Sequence, residues 1–482
     1  MSAPVSDLRA HNHGAAAIPM AVILAITLWR IGCLAFNRVD LFMDESQYWL
    51  WGQEPAFGYY SKPPLIGWVI RLSTELGASD AAFWVRLPGP VLYGLTSVFV
   101  AFIAQALWKD DRAWWAGAVF ATAPGVAILS LFISTDAALL CCVALSLLAM
   151  VRLDRGGGLW WALVLGGAVG LGLLAKYAMI YVVALGLAAW VFRLLAPPQK
   201  GLTALAAGIA LVLVAPNLLW NIQNGFITLT HTAENAGWEG IRWNWSGMAE
   251  FIAIQLVALG PVFAAAYIAG IWKPGRTIRL LALFSLTVFV AIALQALIRK
   301  ANGNWAAPAF VAATALAGPW VAIHWPRWLI PGLIFNGALA AVLPVATVVP
   351  DALSIGGRPA FERATGVREL SEAIIAEARR AGATAILSDD RRVLADLAYR
   401  TKGEGLEVRA WPVPDLPENH YQLTRPAAEG IEGALVVLIL PVPDRCVAAL
   451  EELRVWTSKT GALRRERPTM YLMTERCNPL RR

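Results

Sequence analysis

Long apolar runs dominate the first three quarters of the chain. A helix needs about 20 predominantly apolar residues to cross the hydrocarbon core of a bilayer. The pattern predicts about eleven such spans: 18–36, 85–107, 113–133, 135–152, 159–175, 177–195, 202–220, 248–272, 278–298, 305–323 and 328–349. Tryptophans lie near many of their ends, which is typical of the aromatic belt at a membrane surface. We therefore expect residues 1–350 to form an α-helical polytopic membrane domain.

A different pattern begins after residue 350, where short elements alternate. The periodicities predict an amphipathic helix, a buried strand, a second helix, a central strand and a third helix, at 366–381, 385–387, 391–399, 434–440 and 445–453 respectively. This alternation favours a small soluble α/β domain over residues 351–482. Between the first strand and the second helix lies Asp389-Asp390-Arg391-Arg392. It is either a binding site or simply a solvated loop and helix start.

Composition and charge support this division. The chain is 58% hydrophobic and 15% charged, whereas a soluble domain has about 45–50% apolar and about 25% charged residues. Residues 1–350 contain 20 Lys/Arg and 14 Asp/Glu, and residues 351–482 contain 20 and 19. The net charge of +7 is not clustered, so a nucleic-acid partner is not expected. The bilayer itself is an expected partner.

The positive-inside rule predicts the orientation. If the N-terminus is cytoplasmic, ten Lys/Arg residues fall in short cytoplasmic loops and four fall on the other side: Lys176, Arg242, Arg299 and Lys300. The first run lacks a convincing cleavage site, so we expect it to remain as an anchor. An odd number of spans places the C-terminal domain outside the cytoplasm. Most unexplained polar residues of the membrane domain then lie on the same outer side.

The first outer loop contains the densest set of polar and aromatic candidates. Asp44 and Glu45 precede a short aromatic segment. Either Asp44 is the base and Glu45 assists it or contacts substrate, or both only stabilise a helix N-terminus. The prolines after Lys62 predict an extended segment from Tyr59 to Pro64, followed by an amphipathic helix in the membrane interface. Lys62, beside Tyr59 and Tyr60, is suited to contact a lipid phosphate. The alternative is a lysine that snorkels to the surface.

Other polar residues interrupt the apolar pattern farther along the chain. Asp136 starts a span, where a carboxylate marks either function or a helix cap. Lys176 interrupts an apolar stretch and is either a site residue or a loop marker. His231 and Glu234, which are spaced for one helical face, either line the site or are solvated loop residues. A second group either contacts phosphate and sugar or is a membrane-surface anchor: Arg299, Lys300, Asn304 and Trp305.

Three motifs in combination carry a family resemblance over roughly residues 18–310. MDESQYWLWGQ and GYYSKPPLIGW in the first outer loop, followed by Ser134-Thr135-Asp136-Ala137, resemble the bacterial branch of the dolichyl-phosphate-mannose protein mannosyltransferase and aminoarabinose transferase superfamily, which has the GT-C fold. The resemblance implies a glycosyltransferase that uses a polyprenyl-phosphate sugar. It also implies that Asp44 is the catalytic base, that Lys62 contacts the donor phosphate and that Asp136 belongs to the same cavity.

The resemblance implies a multi-pass protein of the bacterial inner membrane that acts at the periplasmic face. The acceptor would be lipid A, lipopolysaccharide core, another glycan or a protein, and direct displacement would invert the anomeric carbon. The aminoarabinose branch has a glutamate, linked to metal and substrate, where this chain has Ser61. This departure argues against aminoarabinose, and it leaves a divalent metal as an open possibility. A transporter or flippase of lipid-linked sugars and a non-catalytic binding subunit are the alternatives.

Five cysteines divide into two groups. Cys33, Cys141 and Cys142 lie in predicted spans and are expected to be packing residues. Cys446 and Cys477 lie in the C-terminal domain, which is predicted to occupy an oxidising compartment. We hypothesise that these two form a disulfide.

Overall fold

The computed structural model describes residues 13–236, 243–355, 358–412, 417–427, 431–458 and 461–477. Residues 1–12 and Arg242, both used above for the orientation, lie outside the described residues. The membrane domain contains the helices α1 His13–Ala35, α2 Met43–Gln53, α3 Leu65–Leu76, α4 Ala82–Arg86, α5 Pro88–Trp108, α6 Trp115–Thr122, α7 Pro124–Leu129, α8 Thr135–Asp154, α9 Leu159–Ala175, α10 Ile180–Val191, α11 Lys200–Gln223, α12 Ile227–Ala236, α13 Trp245–Leu259, α14 Pro261–Ile271, α15 Arg276–Ile298, α16 Ala309–His324 and α17 Pro326–Val348.

Six of the described helical segments are long and apolar enough to cross a membrane, or seven if the bent pair of α13 and α14 counts as one span. Three shorter apolar helices accompany them, 159–175, 177–191 and 309–324. The multi-pass architecture is therefore confirmed, but the number of eleven full-length spans is not. The predicted span 113–133 is wrong as a single helix, because it is divided into α6 and α7 at Pro124. Proline has no backbone N–H to continue the helical hydrogen bonds.

The predicted span 248–272 is also wrong as a single helix, because a bend of 107° at Gly260 divides it into α13 and α14. Gly260 has a φ of 84°, a conformation that residues with a Cβ rarely adopt. The Nδ2 of Asn336 donates to the C=O of Leu259 at 3.0 Å and satisfies one carbonyl at the end of α13. In α13, the Nε2 of Gln255 donates to the C=O of Gly303 at 3.1 Å. The bend thus positions the short turn Gly303–Ala306 at the end of α15.

The first outer loop folds into α2 and α3, which pack against each other. The amphipathic helix predicted after Pro64 is present as α3. The extended conformation predicted for residues 59–64 is wrong, because the N–H of Tyr59 donates to the C=O of Lys62 at 3.2 Å and the segment bends. Each proline restricts only the residue before it, which left Tyr60 and Ser61 free to turn.

The C-terminal domain contains a five-stranded sheet in the order β4-β3-β5-β7-β6. Its elements, after the two-residue strands β1 Ser354–Ile355 and β2 Arg358–Pro359, are α18 Val367–Arg380, β3 Ala385–Ser388, α19 Arg391–Arg400, β4 Glu407–Ala410, α20 His420–Thr424, β5 Leu435–Leu438, β6 Leu450–Val455 and β7 Thr469–Met473. Strand β3 is parallel to β4 and β5, whereas β7 is antiparallel to β5 and β6. The small α/β layer predicted from the sequence is confirmed.

One predicted element of this domain is wrong. The expected helix 445–453 is a short 3-10 turn, Asp444–Ala449, followed by the strand β6. Its segment Leu-Glu-Glu-Leu-Arg-Val has good helix formers, but it pairs with β7 along the edge of the sheet. Tertiary pairing decides strand formation more strongly than local preference does. Cys446, within that turn, is joined to Cys477 by a disulfide with a Cα–Cα distance of 5.5 Å, as hypothesised.

The C-terminal domain packs on the first outer loop through opposite charges. Helix α19 contacts α2, and the ring of Tyr399 meets that of Trp49 at 4.9 Å, edge to face. Among the described residues, five basic side chains of the domain pair with an acidic residue of 40–80: Arg368 and Arg400 with Asp40, Arg391 with Asp44, Lys402 with Asp80 and Arg425 with Glu54. The first outer loop and the C-terminal domain therefore share one side of the molecule.

Candidate active site

Three predicted site residues that are far apart in sequence meet at one carboxylate. Asp136 is buried, with only 2% of its surface exposed. Its Oδ1 accepts from the Nζ of Lys176 at 2.7 Å, and its Oδ2 accepts from the Nδ2 of Asn304 at 2.7 Å. A buried carboxylate is stable when a cation and a hydrogen-bond donor both satisfy it. The structure thus brings together Asp136, Lys176 and Asn304.

Local backbone features bring these three side chains to the same place. The hydroxyl of Ser134 accepts from the N–H of Asp136 at 3.3 Å and caps α8, so Ser134 and not Asp136 is the capping residue. Lys176 has extended backbone angles between α9 and the 3-10 turn Tyr177–Met179. Asn304 lies in the turn that Gln255 holds. Two helix ends and one turn therefore converge on Asp136.

Asp44 is accessible and has a partner that lies 347 positions away. It is in the first turn of α2, and its carboxylate accepts from the guanidinium of Arg391 in α19. The Nε of Arg391 also donates to the Oε1 of Gln47, one turn farther along α2, at 2.9 Å. The two charged side chains are 38% and 31% exposed. The expected base is thus open to the surface, and it is held by an arginine of the C-terminal domain.

Glu45 has a different environment from its neighbour. Both it and Arg86 are 1% exposed, and they form an ion pair at 2.6 Å. The same carboxylate accepts from the N–H of Phe42 at 2.9 Å and from the N–H of Ile133 at 2.8 Å. Through these hydrogen bonds, Glu45 stabilises the N-terminus of α2 and links it to the segment before α8. This geometry gives Glu45 a structural role in place of the expected contact with substrate.

Lys62 is half-buried, and its ammonium group has no hydrogen-bond or ion-pair partner among the described residues. Burial lowers the pKa of Lys62, and the positive charge of Lys176 lowers it further, whereas Asp44 and Asp136 raise it. The positive charge of Arg391 also lowers the pKa of Lys62. These five charged groups therefore lie close enough to influence one another, and Lys62 is the cation among them that is not already paired.

An aromatic and imidazole pair borders Lys62. The ring of Tyr60 contacts that of His231 in α12 at 4.9 Å. Burial lowers the pKa of His231, and Lys62 lowers it further, while Glu234 opposes the effect. The helical spacing predicted for His231 and Glu234 is present in α12, but Glu234 itself is exposed. The Nε2 of His231 lies 2.9 Å from the Nδ2 of Asn235.

Tyr59 does not share the position of Tyr60. It is buried, its ring stacks on Trp51 at 4.5 Å, and its hydroxyl donates to the C=O of Trp51 at 2.6 Å. The C=O of Tyr59 accepts from the hydroxyl of Thr228 in α12 at 2.7 Å. Tyr59 therefore packs the first outer loop together, and the expected contact with substrate is not what its geometry supports.

The basic pair after α15 lies beside the turn that contains Asn304. The Nε and Nη2 atoms of Arg299 are buried and have no hydrogen-bond partner among the described residues. Lys300 is exposed, and Trp305 packs against the hydrophobic core. Arg299 thus has unused donors near the Asp136 group, whereas Lys300 is at the surface.

The described residues do not fit a bound divalent metal. They contain no group of three or more His, Cys, Asp or Glu side chains that could hold one. The carboxylates that face the site are already matched, Asp44 by Arg391 and Asp136 by Lys176. We therefore derive no chemical step through a metal.

An apolar cavity of about 530 Å³ extends from Asn304 into the membrane domain. It lies between α7, α13 and the start of α16, and its walls include Ile128, Ile254 and Phe310. Such a cavity offers no hydrogen bonds along most of its length, so it suits a hydrocarbon chain. The polar group at Asp136 and this apolar space are therefore adjacent.

The sequence pattern missed two contributors to the site. Arg86 lies at the end of the short helix α4, and nothing local indicated that it would pair with Glu45. Arg391 was part of a run noted above, and its position at a helix start was correctly predicted. The sequence showed Arg391 only as part of the charged run 389–392, and that run does not indicate that Arg391 pairs with Asp44.

Comparison with known proteins identifies similar chains. The family model described as dolichyl-phosphate-mannose-protein mannosyltransferase matches residues 61–220. The chain is 34% identical over 467 residues to the lipid A galacturonosyltransferase RgtD of Rhizobium johnstonii, covering 95% of this chain and 98% of that protein.

Solved structures show the same fold at lower sequence identity. The chain resembles the apo ArnT of Cupriavidus metallidurans with a TM-score of 0.64 at 14% identity, covering 95% of this chain and 97% of ArnT. ArnT bound to undecaprenyl phosphate gives a TM-score of 0.63 at 14% identity, with coverage of 95% and 98%. The Archaeoglobus fulgidus oligosaccharyltransferase with zinc and sulfate gives 0.51 at 12% identity, with coverage of 94% and 73%.

The fold and the motifs together define an integral membrane glycosyltransferase of the GT-C class. Such an enzyme takes its sugar from a lipid-linked donor. The chain belongs to the ArnT-like superfamily of polyprenyl-phosphate-sugar glycosyltransferases. A flippase and a non-catalytic binding subunit, the two alternatives considered from the sequence, are therefore set aside.

Proposed function

We propose that this enzyme works at the periplasmic face of the inner membrane and transfers a sugar to a glycolipid of the lipid A type. The proposed acceptor, lipid A, and the proposed donor sugar, galacturonic acid, are those named for the relative that is 34% identical, a lipid A galacturonosyltransferase. The N-terminus is cytoplasmic in this proposal, and residues 1–350 and 351–482 are the membrane domain and the periplasmic domain. Undecaprenyl phosphate, which the similar ArnT binds, is the proposed donor lipid.

The observation that carries the proposal is the placement of Lys62. It is a half-buried cation with no partner among the described residues, and Asp44 and Asp136 both act on its charge. A phosphate is the ligand that an unpaired ammonium group in such a position favours. Asp44, accessible on the neighbouring helix, supplies a carboxylate on the same side of the molecule.

The proposed reaction is a single displacement. Asp44 accepts the proton of the acceptor hydroxyl while the oxygen of that hydroxyl forms a bond to the anomeric carbon. The bond between that carbon and the phosphate oxygen breaks, and its electron pair leaves with polyprenyl phosphate. Lys62 stabilises the negative charge that develops on this leaving group. Attack opposite the leaving group inverts the anomeric configuration.

The remaining candidates have supporting roles in this proposal. The pair of Asp136 and Lys176, with Asn304, forms the floor of the site, and Tyr60 with His231 forms one side. Arg299 supplies further donors for phosphate or sugar. The apolar cavity of about 530 Å³ beside Asn304 accommodates a lipid chain of the donor or the acceptor.

Transfer by purified variants tests this proposal. With undecaprenyl-phosphate galacturonic acid and lipid A in detergent, we expect Asp44→Asn to lower the rate by about 10²- to 10⁴-fold, as for loss of a general base. Lys62→Ala should lower it by about 10²- to 10³-fold, because a charge-stabilising group is lost. Product is measured by mass spectrometry.

Matched substitutions on the opposite side of the membrane domain serve as controls. Asp110→Asn, whose native side chain pairs with its near neighbour Arg112, and Lys200→Ala, at the exposed start of α11, should both retain wild-type transfer. Wild-type rates in Asp44→Asn and Lys62→Ala would contradict the assignment of both residues.

A further inference from the structure

Arg391 is aimed at the active site by the sequence that surrounds it. Asp390 caps α19 by accepting from the N–H groups of Arg392 and Val393. The side chain of Arg392 folds back onto Asp390 and onto Glu466 within the C-terminal domain. Arg391 takes the opposite direction and reaches α2 of the membrane domain. Two adjacent arginines thus have separate tasks.

The pair of Arg391 and Asp44 is held less firmly than the buried pair nearby. Both side chains are about one third exposed, whereas Arg86 and Glu45 are 1% exposed. Partly exposed ion pairs contribute little to stability because water screens both charges, so a better ligand can replace one partner. The Oε1 of Gln47 accepts from the Nε of Arg391 and so orients the guanidinium group. Nη1 of Arg391 has no hydrogen-bond partner among the described residues, which leaves donors for an incoming group.

The charges around Asp44 match a donor that has two anionic groups. Lys62 and Arg391 both act on His231. Burial lowers the pKa of His231, and the positive charges of Lys62 and Arg391 lower it further. A polyprenyl-phosphate uronic acid carries a phosphate at one end of the sugar and a carboxylate at the other. The planar guanidinium binds a carboxylate with two parallel hydrogen bonds, whereas an ammonium group suits phosphate as a point charge.

We propose that Arg391 binds the carboxylate of a uronic acid donor and, by exchanging partners, releases Asp44 to act as the base. This inference rests on the proposed function and adds a specificity-determining residue to it. A donor with a neutral sugar has no carboxylate to offer, so Arg391 stays on Asp44 and transfer is slow. The C-terminal domain thereby couples the choice of donor sugar to the availability of the base.

The test compares two donors that differ only in that carboxylate. Undecaprenyl-phosphate galacturonic acid and undecaprenyl-phosphate galactose are each offered to the purified full-length enzyme with lipid A. The wild type should use the uronic acid at least about tenfold better in kcat/KM. Arg391→Gln should lower kcat/KM for the uronic acid by about 10- to 100-fold, as expected for a lost charged hydrogen bond, and should raise kcat for galactose. Arg391→Lys should recover part of the uronic acid transfer.

The controls separate recognition from a purely structural role. Arg392→Gln, which changes the neighbouring arginine that faces away from the site, should leave the donor preference unchanged. Equal loss with both donors in Arg391→Gln would overturn the inference, because Arg391 would then only support Asp44 or the docking of the domain. Transfer of galactose and not of galacturonic acid by the wild type would also overturn it. Transfer from neither donor by the wild type would instead contradict the proposed function.

Discussion

Asp44 and Glu45 show how far two adjacent carboxylates can differ in role. Neighbours on a helix point in directions about 100° apart, from 3.6 residues per turn, so only one of them can face the interior. Glu45 faces Arg86 and the backbone, and it is 1% exposed. Asp44 faces the C-terminal domain and is 38% exposed. At the residue scale, burial separates the structural acid from the candidate base.

The role of Glu45 predicts a stability defect. Glu45→Gln removes the charge that compensates Arg86, and leaving one member of a buried pair uncompensated costs about 3–5 kcal/mol. We expect a lower melting temperature in detergent, measured by intrinsic tryptophan fluorescence, with transfer retained by the protein that stays folded. The control is Glu75→Gln, which disrupts an exposed pair with Arg71. Unchanged melting with complete loss of transfer would instead place Glu45 in the chemistry.

Interruptions of helices position the site at the scale of the elements. Lys176 lies where α9 ends, and Asn304 lies in the turn after α15. Gln255 of α13, the helix that ends at the bend, donates a hydrogen bond to that turn. Non-helical backbone is tolerated at membrane depth where protein surrounds it and satisfies its polar groups. Each interruption therefore has an energetic cost, which the contacts at the site offset.

The bend at Gly260 predicts a sharp response to a single methyl group. A Cβ at Gly260 would lie 2.0 Å from the Oδ1 of Asn336, and the positive φ alone costs about 1–3 kcal/mol for other residues. Gly260→Ala should therefore lower the melting temperature and reduce transfer, because Asn304 loses its support. Gly337→Ala on α17 is the matched control, since nothing lies within 4 Å of its Cβ. Equal stability of the two variants would exclude this role for the bend.

Docking of the C-terminal domain on the first outer loop connects the two halves of the molecule. His420 of that domain is 3% exposed and meets Trp51 and Tyr59 edge to face. Burial, with smaller contributions from the positive charges of Arg425 and Arg391, lowers the pKa of His420 to about 3. The docked state therefore requires a neutral imidazole at the interface between the C-terminal domain and the first outer loop.

This requirement predicts that acid weakens the docked structure. Between pH 6.5 and about 3, the unfolded chain binds one more proton at His420 than the folded chain does. The stabilisation is thus complete above pH 6.5 and is lost as the pH falls, with a slope of up to about 1.4 kcal/mol per pH unit. His420→Phe keeps a ring and removes the titration, so its melting temperature should fall less between pH 7 and 5. Equal pH dependence of the two proteins would refute the prediction.

Local patterns were sufficient for much of the fold. The amphipathic periods predicted α3, α18 and α19, and apolar runs predicted the spans that are single helices. The runs 113–133 and 248–272 and the segment 445–453 failed as single helices. Pro124 divides the first, a bend of 107° at Gly260 divides the second, and pairing with β7 converts the end of the third to a strand. The average hydrophobicity of a run of residues predicts that the run is buried. It does not predict a break at one residue or pairing with a distant strand.

For the candidate site, the sequence by itself determined the membrane class, the motifs of the first outer loop, and Asp44, Lys62 and Asp136 as candidates. These depend on residue type and on spacing within a few turns, which are local properties. Only the tertiary structure decided that Glu45 is buried, that Lys176 and Asn304 meet at Asp136, and that Arg391 reaches Asp44. Each of those contacts joins residues 40 to 347 positions apart. Such contacts form when packed helices and a docked domain bring distant segments together, and no local pattern records that geometry.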